Sequence, residues 1–119
     1  MQAFRSLLFV PGSRPDRFQK AALSGADAVC IDLEDAVAPA EKNAARKATL
    51  DYLGGPREGC AVGFRINALS TIEAWRDLVA FADSAAAPAF LMIPKTLAGG
   101  DLLRLREART EQRQHRAGG

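Results

Sequence analysis

The sequence predicts an α/β fold built on a parallel sheet. Three observations predict it: four short apolar runs that each close on polar residues, a helix-length segment after each run, and a spacing of roughly 30 residues per strand–helix unit. Strand and helix alternate four times as βαβαβαβα, the order that gives parallel strands joined by right-handed crossovers.

The first run, residues 6–10, is stopped by Pro11-Gly12. A helix is predicted over 15–23, with Pro15 at a first-turn position where its missing N–H is harmless and Gly25 as a stop. The second run, 28–33, is β-branched at Val29 and Ile31 and closes on Glu34-Asp35. Its unbroken apolar character reads as a strand buried on both faces. The next helix, 40–53, sets Ala44, Ala48 and Leu50 beside Lys42, Arg46 and Lys47 and ends at Gly54-Gly55. The third strand, 61–66, holds Arg65 and is followed by Asn67; a helix over 71–82 begins after Ser70. The fourth strand, 89–93, closes on Pro94-Lys95. A fourth helix is predicted from Asp101, carrying Leu102, Leu103 and Leu105. Residues 1–105 therefore read as the folded domain, and 106–119 as a polar, basic tail expected to be disordered.

At 119 residues and 48% apolar content, the chain suits one domain with an ordinary core. Its net charge is only +2, with much of the positive excess after Arg104, which argues against a nucleic-acid partner. No apolar run approaches the roughly 20 residues of a membrane span, and residues 1–5 lack a secretory pattern. The expectation is a cytoplasmic protein without a membrane partner. Cys30 and Cys60 lack metal or redox spacing and read as buried or half-buried thiols. The single histidine, His115, falls in the tail and is expected to be inert.

Four motifs end up at strand ends, where parallel α/β folds place ligands. In FVPGSRPDRFQKA, Arg14, Arg17 and Lys20 stand at three-residue steps. The Gly12-Ser13 turn would add free backbone donors, which suits phosphate or carboxylate; ordinary surface charge is the alternative. In Asp32-Leu33-Glu34-Asp35 the first and third residues share one side of an extended chain. Such carboxylates suit a hydrated divalent metal or acid/base work, or else caps and loop hydrogen bonds. Arg65, in an apolar strand, must meet a carboxylate, either from the Asp32/Glu34 cluster or from a ligand, and the two readings are compatible. Lys95 would face the same rim and either hold the acidic cluster together or contact substrate.

Taken in order and spacing, RSLLFVPGSRPDRFQKA, GADAVCIDLEDAV, FRIN and IPK closely resemble the N-terminal half of the citrate lyase β-subunit-like branch of the HpcH/HpaI aldolase family, from about Arg5 to Lys95. The resemblance implies a (β/α)8 TIM barrel that makes or cleaves a C–C bond in a hydroxy acid or its coenzyme A thioester with Mg2+. It also implies that Arg65 binds the substrate carboxylate and that Asp32, Glu34, Asp35 and Lys95 stand beside the catalytic and metal site, outside the metal's direct ligands. Arg14, Arg17 and Lys20 would then lie near the phosphates of coenzyme A.

A complete barrel needs about 250 residues. The resemblance implies that the two direct Mg2+ ligands, a Glu and an Asp, belong to the fifth and sixth strands, so no direct ligand is expected here. From about Arg106 the tail is read as departing from the family's continuation. The expectation is thus a truncated half-barrel of about four βα units, inactive alone. It would exist as a homo-oligomer or with a complementing C-terminal half. The alternatives are a non-catalytic anion- or thioester-binding half-barrel and a degenerate remnant. The substrate stays open among citryl- and malyl-type hydroxyacyl thioesters and 2-oxo acid aldols.

Overall fold

Four parallel strands form one sheet in the order β1-β2-β3-β4: Leu7–Pro11 (β1), Ala28–Asp32 (β2), Ala61–Arg65 (β3) and Leu91–Met92 (β4). The computed structural model describes residues 5–94. Helices α1 (Phe18–Ala22), α2 (Lys42–Gly54) and α3 (Ile72–Ala82) fill the three connections. The predicted fourth helix, the tail and Lys95 lie outside the described residues.

All four predicted strands and the first three helices are present, with shifted ends. β1 runs through Pro11 rather than stopping before it. The Gly12 amide donates to Asp32 O, so alternation turns the Pro11 nitrogen away from β2 and its missing N–H leaves no gap in the ladder. The first predicted helix divides into a 3-10 turn, Pro15–Arg17, and the short α1; a second 3-10 turn, Pro39–Glu41, leads into α2. Thr71 caps α3, its hydroxyl accepting the Ala74 amide at 3.3 Å. β4 is shorter than predicted, although Ala89 N and Phe90 O already bond to β3 before it begins.

Residues alternate between two faces of the sheet. Val10, Val29, Ile31, Val62, Phe64 and Leu91 face the helices and pack with Phe18, Ala45, Leu50, Leu53 and Phe81. Burying each of the larger side chains among them contributes roughly 1.5–3 kcal/mol. All three helices lie on this one face, as successive right-handed crossovers between neighbouring strands require. The opposite face is lined by small residues, Ala28, Cys30 and Gly63, with Phe90 over them. A Cβ on Gly63 would come within 2.4 Å of the Phe90 carbonyl oxygen and 2.5 Å of its ring, so only glycine fits there.

Candidate functional site

Register builds the site. Asp32 ends β2, Arg65 ends β3, and the two are direct partners in the parallel ladder. Both point to the face away from the helices. Arg65 Nε donates to Asp32 Oδ1 at 2.9 Å and its terminal NH2 donates to Oδ2 at 2.8 Å, a two-pronged fork. The loop after β2 wraps the same carboxylate: Glu34 N donates to Oδ1 at 2.9 Å and Ala36 N to Oδ2 at 3.1 Å.

Asp32 is only 3% exposed. Burial pushes its carboxyl up, but the Arg65 fork and the two amides outweigh it and hold the group below the ordinary carboxylate range. The hydrogen bond to Asp32 likewise raises the Arg65 guanidinium above its usual value. Beneath the guanidinium lies Phe9, its ring centre 5.2 Å from Arg65 Cζ. Glu34 Oε1 stands 3.8 Å from Arg65 Nε, and burial, then the charge of Asp35, push its carboxyl up. Asp35 itself is exposed.

Arg65 therefore takes Asp32 from the acidic cluster, as the pairing alternative has it. A guanidinium carries five N–H donors, and the fork commits two of them. Among the described residues no other hydrogen bond reaches this group, so its remaining donors can meet a second carboxylate.

Residues overlooked as site residues in the sequence hold this rim in place. Lys42, from the start of α2, donates through Nζ to the carbonyls of Leu33 (2.9 Å) and Glu34 (3.0 Å) and to Asn67 Oδ1 (2.6 Å). Asn67 N and Nδ2 both donate to Asp77 Oδ2 at 2.8 Å, and Arg46 Nε donates to Asp77 Oδ1 at 2.8 Å. Arg46 also reaches Asn43 and Glu73. Asp77 is 1% exposed. One sequence signal existed: Asp77 falls on the apolar face of α3 with Ala74 and Phe81, where an unpaired carboxylate would be costly.

The basic motif after β1 is arranged differently from the expectation. Arg14 is paired with Asp16 (Nε to Oδ1 3.1 Å, NH2 to Oδ2 3.0 Å), both on the surface, while Arg17 and Lys20 are exposed. The Gly12 amide is not a free donor, because the ladder continues one residue past β1 and commits it to Asp32 O at 2.8 Å. Cys30 is fully buried, which pushes its thiol up to about 12, and Cys60 is half-buried.

Among the described residues no three His, Cys, Asp or Glu side chains converge on a position for a metal ion. The Asp32 oxygens are already committed to Arg65 and two amides. These residues do not by themselves fit Mg2+.

The chain is 43% identical over 98 residues to the citrate lyase subunit beta-like protein of Mycobacterium tuberculosis, covering 82% of this chain and 34% of that protein. It is 40% identical over 100 residues to the L-malyl-CoA/beta-methylmalyl-CoA lyase of Cereibacter sphaeroides, covering 82% and 31%. It therefore spans about a third of the length of these relatives. The solved citrate lyase beta subunit of M. tuberculosis with oxaloacetate and magnesium superposes with a TM-score of 0.68 at 42% identity, covering 87% of this chain and 44% of that one. A CitE structure from the same organism, in complex with magnesium, acetoacetate and coenzyme A, gives a TM-score of 0.69 at 40% identity, covering 88% and 38%. The four parallel strands in sequential order are thus part of a (β/α)8 barrel architecture. The HpcH/HpaI aldolase/citrate lyase model matches residues 5–118, well past the 5–95 span that carries the motifs and past Arg106, where the tail was read as departing from the family. By that match and those relatives, the chain belongs to the HpcH/HpaI aldolase/citrate lyase family.

Proposed function

We propose that this chain is the N-terminal part of a Mg2+-dependent carbon–carbon lyase or aldolase acting on a citryl- or malyl-type hydroxyacyl thioester or a 2-oxo acid aldol. The carrying observation is the Asp32–Arg65 fork at the C-terminal rim of the sheet, which fixes a guanidinium and leaves donors for one more carboxylate. The relatives solved with oxaloacetate, or with acetoacetate and coenzyme A, support a small oxo acid or its thioester as the ligand class.

In this reading Arg65 grips the substrate carboxylate and Asp32 sets the plane of the fork. Glu34, whose carboxyl is pushed up by burial beside the guanidinium, holds a proton or a water, with the exposed Asp35 next to it; Lys95 acts on the substrate or the acidic cluster. Arg17 and Lys20, exposed on one short segment, and Arg14 beside Asp16 meet the phosphates of a coenzyme A thioester. Mg2+, held by ligands outside the described residues, would supply stabilisation of enolate charge. The protein works in the cytoplasm, as a homo-oligomer or with a complementing C-terminal half, and the 119-residue chain alone has no substantial lyase activity.

A second reading, an anion- or thioester-binding module without turnover, is favoured by one observation: the described residues offer an arginine for a carboxylate but no group for a metal. Titrating the purified chain with oxaloacetate, with and without Mg2+, while assaying malyl- and citryl-thioester cleavage tests both. The expected result is binding that Arg65→Met abolishes, with no cleavage. Mg2+-dependent cleavage would overturn the claim of inactivity; absence of Arg65-dependent binding would remove the role given to Arg65.

A further inference from the structure

The outward side of α3 carries an apolar seam. The helix's inward face is Ala74, Asp77 and Phe81, and Glu73 and Asp77 meet α2 through Arg46. On the side opposite that face Ile72, Trp75 and Val79 are 63%, 63% and 59% exposed, and the half-buried Ala82 continues the row. In the outer helix layer of a barrel each helix meets the sheet with its inner face and its neighbours with its flanks, so the barrel leaves this side uncovered. One exposed apolar side chain is ordinary; a row of them on one helix marks a contact surface.

We propose that a second copy of this chain docks there, α3 against α3 in an antiparallel two-fold contact. Positions 72, 75, 79 and 82 alternate steps of three and four, the a and d positions of a heptad seam, which packs against another helix. Aligned antiparallel, Trp75 lies opposite Val79 and Ile72 opposite Ala82. Each layer sets a large side chain against a small one, and the same pairs recur when the copies are exchanged, as a self-complementary contact requires. Charge selects the same arrangement. Arg76 and Asp83, exposed and seven residues apart, fall on one edge of the seam. An antiparallel pair turns that edge against itself, so Arg76 of each copy meets Asp83 of the other; both side chains lean toward their own N-terminus, which closes an axial offset of about 7 Å. A parallel pair would set Asp83 against Leu78, with no charge to meet. Arg76 spends one terminal nitrogen on Glu73 at 2.9 Å, and among the described residues Asp83 has no ion partner. Three exposed side chains fall short of the roughly 800 Å2 that each partner buries in a stable complex, so the dimer is weak, with a dissociation constant on the order of 100 µM. The inference stands on α3 alone and does not depend on the lyase reading.

Trp75 is the chain's single tryptophan and sits in the seam, so its fluorescence reads the contact directly. Sedimentation of the 119-residue chain between about 10 µM and 1 mM should show monomer passing to dimer, with Trp75 emission moving to shorter wavelength in step. Val79→Lys should stay monomeric throughout. Arg76→Glu and Asp83→Lys should each weaken association about tenfold, because two attractive contacts become repulsive, and an equimolar mixture of the two should regain the strength of the unaltered chain, because its facing charges are again opposite. Trp75 emission that ignores concentration would overturn the proposal, whether the ring stays open to solvent or is covered by residues 95–119. A dimer that survives Val79→Lys would use another surface and overturn it too, as would a mixture no stronger than its components. Should Val79→Lys fail to fold, the mixture decides.

Discussion

Lys42 and Asn67 meet at 2.6 Å, joining the start of α2 to the loop after β3, and the same ammonium holds the Leu33 and Glu34 carbonyls. One side chain thus ties together the two loops that frame Asp32 and Arg65. Hydrogen bonds to a charged group are worth about 1.5–3 kcal/mol. Lys42→Met should lower stability by about 2–3 kcal/mol in urea melts, and Lys42→Arg should recover part of it. A melt unchanged in Lys42→Met would remove the clamp from the account.

Breaking the rim pair should cost more than weakening it. Arg65→Met leaves the Asp32 carboxylate buried with only two amides, and removing one partner of a buried pair costs roughly 3–5 kcal/mol. Because the Arg65 side chain is 22% exposed, the lower end of that range is expected. Equilibrium unfolding of the two proteins side by side is the check.

Acid should act on the same pair. The folded carboxyl of Asp32 lies below its unfolded value of about 3.9, so its stabilising contribution is complete above that pH. It is lost as pH falls through the lower folded value. Glu34 has the opposite sign: its carboxyl is raised in the fold, so its ionisation opposes folding once pH climbs through the raised value. Melts of the chain and of Asp32→Asn should differ most near neutral pH and converge as pH falls through the lowered folded value of Asp32. Parallel curves would refute the assignment.

Removal of Asp77 tests the deeper network. Asp77→Ala leaves Arg46 Nε and two Asn67 donors without their acceptor while Arg46 keeps Glu73 and Asn43, so a loss of about 3 kcal/mol, the lower end for breaking a buried pair, is expected. Asp77→Asn, which keeps the shape, should lose less. Equal losses would mean that volume rather than pairing decides.

The two thiols should separate by reactivity. Cys30, fully buried with its thiol pushed up to about 12, should resist an aromatic disulfide reagent in the folded protein, while half-buried Cys60 reacts. Denaturant should release the second equivalent. Two fast equivalents without denaturant would contradict the burial of Cys30.

The strands, three helices and the Asp32–Arg65 neighbourhood were legible because their signals are local: apolar runs of five or six residues, prolines at helix starts, and charges at run ends. The Lys42–Asn67–Asp77–Arg46 chain was not. Its partners lie 25, 10 and 31 positions apart, and Lys42 and Arg46 read as an ordinary charged helix face until the crossovers set α2 beside α3. The committed Gly12 amide was hidden for a related reason, since the ladder's length past Pro11 depends on β2 and not on the turn's own residues.

The pairing of Asp32 with Arg65 also bears on how the sheet reaches one alignment. Side chains alternate, so sliding β3 by a single position against β2 would drive the guanidinium into the helix-side core and turn Phe64 out to the rim. Neighbouring runs such as Val29–Ile31 and Val62–Phe64 are apolar enough to tolerate several alignments. The one charged partnership at the strand ends makes the wrong ones costly, so the residues offered here for ligand recognition also proofread the assembly of the strands that carry them.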